Sequence, residues 1–152
     1  SKDLDREELK ENLIATMKNF HGIGLSANQC GVMERAFVMY SDVNKEEIIA
    51  CFNPNIISEG TEMVMMDEGC LTYPYIFLAV KRPRKCVMKY EDTEGKTQEA
   101  HLDGMMSRIC QHEYDHTLGR NFTEHVSKFK LKRAQDKAVK DIEKIKKHMN
   151  QK

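Results

Sequence analysis

Between Ala36 and Leu102 the chain runs through short β-prone stretches set apart by breakers, and on either side of that block its apolar residues fall at helical intervals. Residues 36–40, 48–52, 76–80 and 86–90 read as strands, rich in β-branched and aromatic side chains. Residues 91–96, with Gly95, suit a hairpin loop into a further strand at 97–102. Asn53-Pro54 and Lys81-Arg82-Pro83 mark bends or strand edges. With its strands gathered in the middle and its helices outside them, the chain is expected to fold as α+β.

The helical segments are three. Leu4, Leu9, Leu13, Ile14 and Met17 predict an amphipathic helix over 3–19, with Asp3 or Asp5 as cap and a stop near His21-Gly22. A glycine-rich turn of small residues, 22–31, follows and leads into a loop or short extended segment. Asp103, suited to an N-cap, opens a second helix that ends around Leu118-Gly119. A third, at about 128–149, places Leu131, Ala134, Ala138, Ile142, Ile145 and Met149 on one stripe that can pack on the body.

At 152 residues the chain has the size of one domain, and residues 1–152 are expected to form a single one. A composition 40% hydrophobic and 32% charged, without low-complexity tracts, belongs to soluble globular proteins. No apolar run approaches the roughly 18 residues of a membrane span, and the N-terminus lacks the order of a signal peptide. Five cysteines, an odd and scattered set, suggest a reducing compartment and a cytoplasmic location. Cys30, Cys51, Cys86 and Cys110 read as core thiols. Net charge is zero but uneven: from Lys128 onward ten Lys or Arg face three Asp or Glu. Such a basic helix can meet nucleic acid, a ribosome or an anionic membrane, and is as often simply solvated.

The second helix carries His112-Glu113-Tyr114-Asp115-His116. Two histidines four apart project from one helical face and can share a cation, while Glu113 between them can reach a water on it. Such a catalytic site needs a third protein ligand, drawn from Cys, Asp, Glu or His. Cys70 stands out, in Glu68-Gly69-Cys70-Leu71-Thr72, where Gly69 permits close backbone approach and the thiolate is a strong ligand. Ile109 and Met105, three and seven residues before His112, extend the same face as an apolar wall or as plain core.

Three segments together resemble the peptide deformylase family: Gly22-Ile23-Gly24-Leu25-Ser26-Ala27-Asn28-Gln29, Glu68-Gly69-Cys70-Leu71-Thr72, and His112 to His116, in the family's order and spacing. The resemblance covers roughly residues 5 to 127 and implies antiparallel and mixed sheets packed around a central helix bearing the two histidines. It also implies that Cys70, His112 and His116 bind one divalent ion, natively Fe²⁺, with Zn²⁺, Ni²⁺ or Co²⁺ as substitutes. Glu113 would move the proton, and the Gln29 side-chain amide with the Leu71 N–H would meet the oxyanion. The substrate implied is an N-formylmethionyl peptide of a nascent chain, lying as an added strand along Gly22, Ile23, Gly24 and Gly69, its methionine among Ile23, Met105 and Ile109.

Some residues depart from the pattern. Ser26 stands where the motif usually has Ala and Thr72 where it has Ser, and both are expected to tune packing only. Tyr75-Ile76-Phe77 occupies a stretch where many bacterial members place an Arg that contacts the peptide. Arg82 matches a family Arg and is expected to pair with Asp115, while Arg108 replaces an aliphatic residue and offers only its stem to the pocket. The basic helix at 128–149 fits a ribosome contact; neither membrane nor DNA is an expected partner, and a monomer is expected. The rivals are an endopeptidase with the same two-histidine helix, which normally takes a third His or Glu, and an inactive ribosome-binding or structural metal module. In that module Glu113 and Gln29 would be surplus.

Overall fold

The computed structural model describes residues 5–42, 44–70 and 73–150. Along the chain run α1 (Arg6–Asn19), β1 (Gly24–Ser26), a 3₁₀ turn (Ala27–Cys30), β2 (Ala36–Asp42), β3 (Glu47–Glu59), β4 (Met63–Cys70) and β5 (Tyr73–Pro83). Then come β6 (Lys85–Glu91), β7 (Thr97–Asp103), α2 (Met105–Thr117), a second 3₁₀ turn (Phe122–His125) and α3 (Lys128–Asn150). The class is α+β, as expected. The chain divides into two compact units, Ser1–Val64 with Arg82–Arg120, and Met65–Lys81 with Asn121–Lys152.

The first unit is built on a five-stranded sheet in the order β1-β2-β3-β6-β7, each neighbouring pair antiparallel. Residues 36–39 of β2 are all buried because both faces of that strand are covered. Ala36 and Val38 join Leu9, Leu13 and Met17 of α1, whereas Phe37 and Met39 join Cys51, Cys86, Met88 and the α2 residues Ile109 and Cys110. Each large side chain fully buried this way contributes roughly 1.5–3 kcal/mol. The period-2 pattern of β2 thereby seats one helix on each side of the sheet.

Local devices hold the frame. Asp5 caps α1, its carboxylate accepting from Glu8 N at 3.1 Å. Asn53-Pro54, expected at a bend or strand edge, makes a bend inside β3: the register shifts between Phe52 and Asn55, Asn53 takes φ 48°, and the bulge spares the ladder the N–H that Pro lacks. Asp103 does not cap α2. It closes β7 and accepts from Arg84 Nε at 2.9 Å, while the cap position falls to Gly104, whose φ of 62° suits a residue without Cβ.

In the second unit Leu78, Val80 and Phe122 form the core, with Tyr73 meeting Phe122 edge to face at 5.9 Å. Leu131 and Ala134 pack α3 against that cluster, and Lys130 Nζ donates to the Ala79 carbonyl. The expected apolar stripe is used only in part. Ala138 is buried, but Ile145 and Met149 are exposed, so the last two turns bury nothing.

Candidate active site

Helix α2 has far more buried polar side chains than a surface helix carries: Ser107, Arg108, Gln111, Glu113, Asp115 and His116 are all buried. Burying a polar group without a partner costs free energy, so each must be met. Gln111 Nε2 donates to Pro83 O and to Ser107 Oγ, both at 2.9 Å, and Arg108 Nη2 to Val64 O at 2.7 Å. Arg82 Nη1 reaches Asp115 Oδ2 at 2.8 Å, the pair expected from the sequence. These bonds fix the helix in rotation, and with it the face bearing the histidines.

On that face His112 Nε2 and His116 Nε2 lie 3.2 Å apart, with the rings edge to face at 77°. Glu113 is buried, its Oε1 4.0 Å from His112 Nε2. Gly24 of β1 lies against Glu113 and Ile109: a Cβ there would come within 2.9 Å of Glu113 Cγ and 3.0 Å of Ile109 Cγ2. The structure therefore brings together His112, His116, Glu113, Gly24 and Ile109. Ile23 is about half exposed, as is Met105 at the first position of α2, while Ile109 and the neighbouring Met106 contribute to the core.

Gln29 sits in the 3₁₀ turn after β1, where its Oε1 accepts from Ser26 N at 3.0 Å. The adjacent Asn28 donates from Nδ2 to the His116 carbonyl, tying the turn to the end of α2. Sequence reasoning expected Ser26 only to tune packing and gave Asn28 no role; the Ser-x-x-Gln spacing of a capping box was the available signal. Cys30, expected in the core, is exposed because it ends this turn, just before Gly31 at φ 78°. Gly22 donates its N–H to Met17 O at 2.8 Å as the chain leaves α1.

In the second unit, Cys70 ends β4 half-buried, and the Phe77 ring lies across Gly69, within 2.8 Å of where a Cβ would stand. Leu71, expected as an oxyanion donor, and Thr72 lie outside the described residues.

Two imidazole nitrogens so placed have the donor chemistry of a transition-metal site. Ligands at 2.0–2.1 Å in tetrahedral geometry stand about 3.3 Å apart, close to the spacing of the histidine pair. The family model for polypeptide deformylase matches residues 2–132. The peptide deformylase of Salinibacter ruber is 40% identical over 82% of this chain and 69% of its own length. That of the Wolbachia of Brugia malayi is 36% identical over 93% and 83%. Among solved structures, a peptide deformylase from Legionella pneumophila superposes with a TM-score of 0.82 at 32% identity, covering 100% of this chain and 87% of that one. One from Synechococcus elongatus, in complex with actinonin, gives 0.83 at 31% over 89% and 75%. A catalytic helix of this geometry, matched along most of its length to such relatives, places the chain in the polypeptide deformylase family, whose members are metal-dependent hydrolases.

Proposed function

We propose that Cys70, His112 and His116 hold the divalent ion of this enzyme, a set of one thiolate and two imidazoles of the kind that could bind a metal. The chain is a metal-dependent hydrolase that removes the N-formyl group from the N-terminal methionine of newly made proteins and releases formate. The observation that carries the assignment of the two histidines is the 3.2 Å approach of their nitrogens beside a buried Glu113, and Cys70 is added for its thiolate chemistry and its place in the second family motif. Fe²⁺ is the native ion in this reading, with Zn²⁺, Ni²⁺ or Co²⁺ able to replace it.

When bound, the ion supplies a water ionisable at a pH on the order of 7 and a Lewis acid for the formyl oxygen. Glu113 takes the proton of the attacking water on a carboxylate oxygen and returns it to the departing amine, its burial keeping solvent from competing. The Gln29 amide nitrogen and the Leu71 N–H donate to the oxyanion; loss of one such donor typically costs about 10²–10³ in rate. The peptide lies along Gly22, Ile23, Gly24 and Gly69 as an added strand, and its methionine packs on Ile109, Met105 and Ile23. Glycine at 24 leaves Glu113 and Ile109 their places.

The rest of the reading concerns setting. Residues 1–152 act as one catalytic domain and as a monomer in the cytoplasm; no helix among the described residues is long and apolar enough to cross a membrane. The Lys-rich faces of α3 suit a ribosomal contact near the emerging peptide.

The test is formate release from a formyl-Met peptide by iron- or nickel-loaded protein, against a Glu113→Ala control. Release no greater than the control's would sink the assignment, and cleavage inside an unformylated peptide would point to an endopeptidase.

A further inference from the structure

Ser26 is fully buried, and its hydroxyl stands between the two amide side chains of the turn that follows. Ser26 Oγ lies 2.7 Å from Asn28 Oδ1 and 3.0 Å from Gln29 Oε1, and Ser26 N–H donates to the same Gln29 oxygen at 3.0 Å. The partners determine which way each amide points. Turning Asn28 over would set its oxygen against the His116 carbonyl, acceptor against acceptor. Turning Gln29 over would set its nitrogen against Ser26 N–H, donor against donor.

Both amide oxygens therefore face Ser26, whose hydroxyl has one proton for the two. The shorter contact favours donation to Asn28, with the Ser26 N–H serving Gln29; rotation of the hydroxyl would give its proton to Gln29 instead. In either state the Gln29 nitrogen lies on the side of its amide away from Ser26.

We propose that the Ser26 hydroxyl is a positioning group for deformylation: bonded to Asn28 and in contact with Gln29, it holds firm the turn on which the Ser26 N–H orients the Gln29 amide, so that the Gln29 amide nitrogen meets the oxyanion in a single orientation. The same turn is tied through Asn28 to the backbone of His116, so the oxyanion donor and a histidine of the catalytic helix share one support. This rests on the oxyanion role proposed for Gln29. Ser26 and Gln29 also make the reciprocal bonds of a capping box around the 3₁₀ turn. A cap alone would change stability and leave turnover as it was, which separates the two accounts.

The experiment is a double-mutant cycle of Ser26→Ala and Gln29→Ala in the metal-loaded enzyme, reading kcat and KM on a formyl-Met peptide. Thermal unfolding and the side-chain amide ¹⁵N spectrum are followed in parallel. Ser26→Ala should lower kcat about three- to tenfold with KM within about twofold, and change kcat less than about twofold in the Gln29→Ala background. The Gln29 amide resonances should shift or broaden in Ser26→Ala, a readout that needs neither metal nor turnover. An unchanged kcat in Ser26→Ala, or an equal loss in both backgrounds, overturns the inference while a damaged Gln29→Ala enzyme leaves the oxyanion role standing. A Gln29→Ala enzyme with full kcat overturns that role and the inference with it.

Discussion

Gly24 lies so near Glu113 that a Cβ built on it would meet Glu113 Cγ at 2.9 Å and Cδ at 3.3 Å. The carboxylate proposed to move the proton thus keeps its place because the neighbouring strand carries no side chain there. Gly24→Ala would push Glu113 aside, and a misplacement on the order of 1 Å in a catalytic group can cost about 10²-fold in rate. We expect kcat to fall by about ten- to a hundredfold. At Gly22 the same addition meets only ordinary contacts at 3.6 Å, so Gly22→Ala should shift stability by no more than about 0.5 kcal/mol. A Gly24→Ala enzyme with full kcat would falsify this account of the contact.

The Arg82–Asp115 pair joins the end of β5 to the catalytic helix one residue before His116, with side-chain exposures of 4% and 12%. Removing one partner leaves the other charge buried, a loss of about 3–5 kcal/mol, whereas replacing both with apolar residues of similar volume is often neutral. Asp115→Asn and Arg82→Met should each lower the urea midpoint sharply, and Arg82→Met with Asp115→Leu should recover most of it. Additive losses in the double variant would mean that the two side chains act independently.

Glu91 provides a pH signature remote from the site. Asn53 Nδ2 at 2.9 Å and Arg6 at 3.2 Å bond its carboxylate and hold it below the usual carboxylate range. A lowered folded pKa adds stability above the unfolded value, near 4.3, and that stability drains as pH falls through the folded pKa. Because the group is largely solvent-screened, the effect should stay below about 1 kcal/mol. The Tm gap between wild type and Glu91→Gln should be open at pH 6 and close below about pH 4. A gap that widens on acidification would reverse the sign.

The sequence made the catalytic helix legible because its period and its His-Glu-His spacing lie in one continuous segment. The strands of the five-stranded sheet were legible for a similar reason: β2 and β6 carry β-branched and aromatic residues. Strand β4 did not announce itself. Its Met-Val-Met-Met-Asp-Glu-Gly-Cys has one β-branched residue, and pairing with β5 rather than intrinsic preference makes it a strand. The capping of α2 was misread because Asp103 is the kind of residue that caps, yet Arg84 claims its carboxylate from the adjacent strand. Ser26 and Asn28 were read only as small residues in a motif: the Ser-x-x-Gln spacing of a capping box was there to be seen, whereas the Asn28 bond to the His116 carbonyl spans 88 positions of chain and leaves no local trace.

Metal removal offers a test through the cysteines. Cys51 and Cys110 are buried with their thiols pushed far up, and Cys86, although lowered to about 7 by its hydrogen bond with Cys110, is buried too. Cys30 is exposed, but desolvation and the Glu113 carboxylate hold its thiol above the usual range and slow its reaction. Native, metal-loaded protein at pH 7 should therefore show one slow thiol. Chelation should add one more, Cys70, once its sulfur no longer binds the ion. Identical thiol counts before and after chelation, with metal loss verified, would remove Cys70 from the ligand set.

Helix α3 allows stability and partner binding to be separated. Its packing ends near Ile142; residues 143–150 are exposed, including Ile145 and Met149, while carrying Lys144, Lys146 and Lys147. A chain ending at Ile142 loses no buried side chain among the described residues, so its unfolding midpoint and its turnover of short formyl peptides should stay at wild-type values. It loses a cluster of positive charge, and a contact with ribosomal RNA made by such charges weakens steeply with salt. In ribosome pelleting at low ionic strength, full-length protein should cosediment and be released as salt is raised, while the shortened chain stays in the supernatant. Equal cosedimentation of the two at every salt concentration would move the ribosomal contact off these last turns, and a collapse of stability on truncation would show that they pack on something after all.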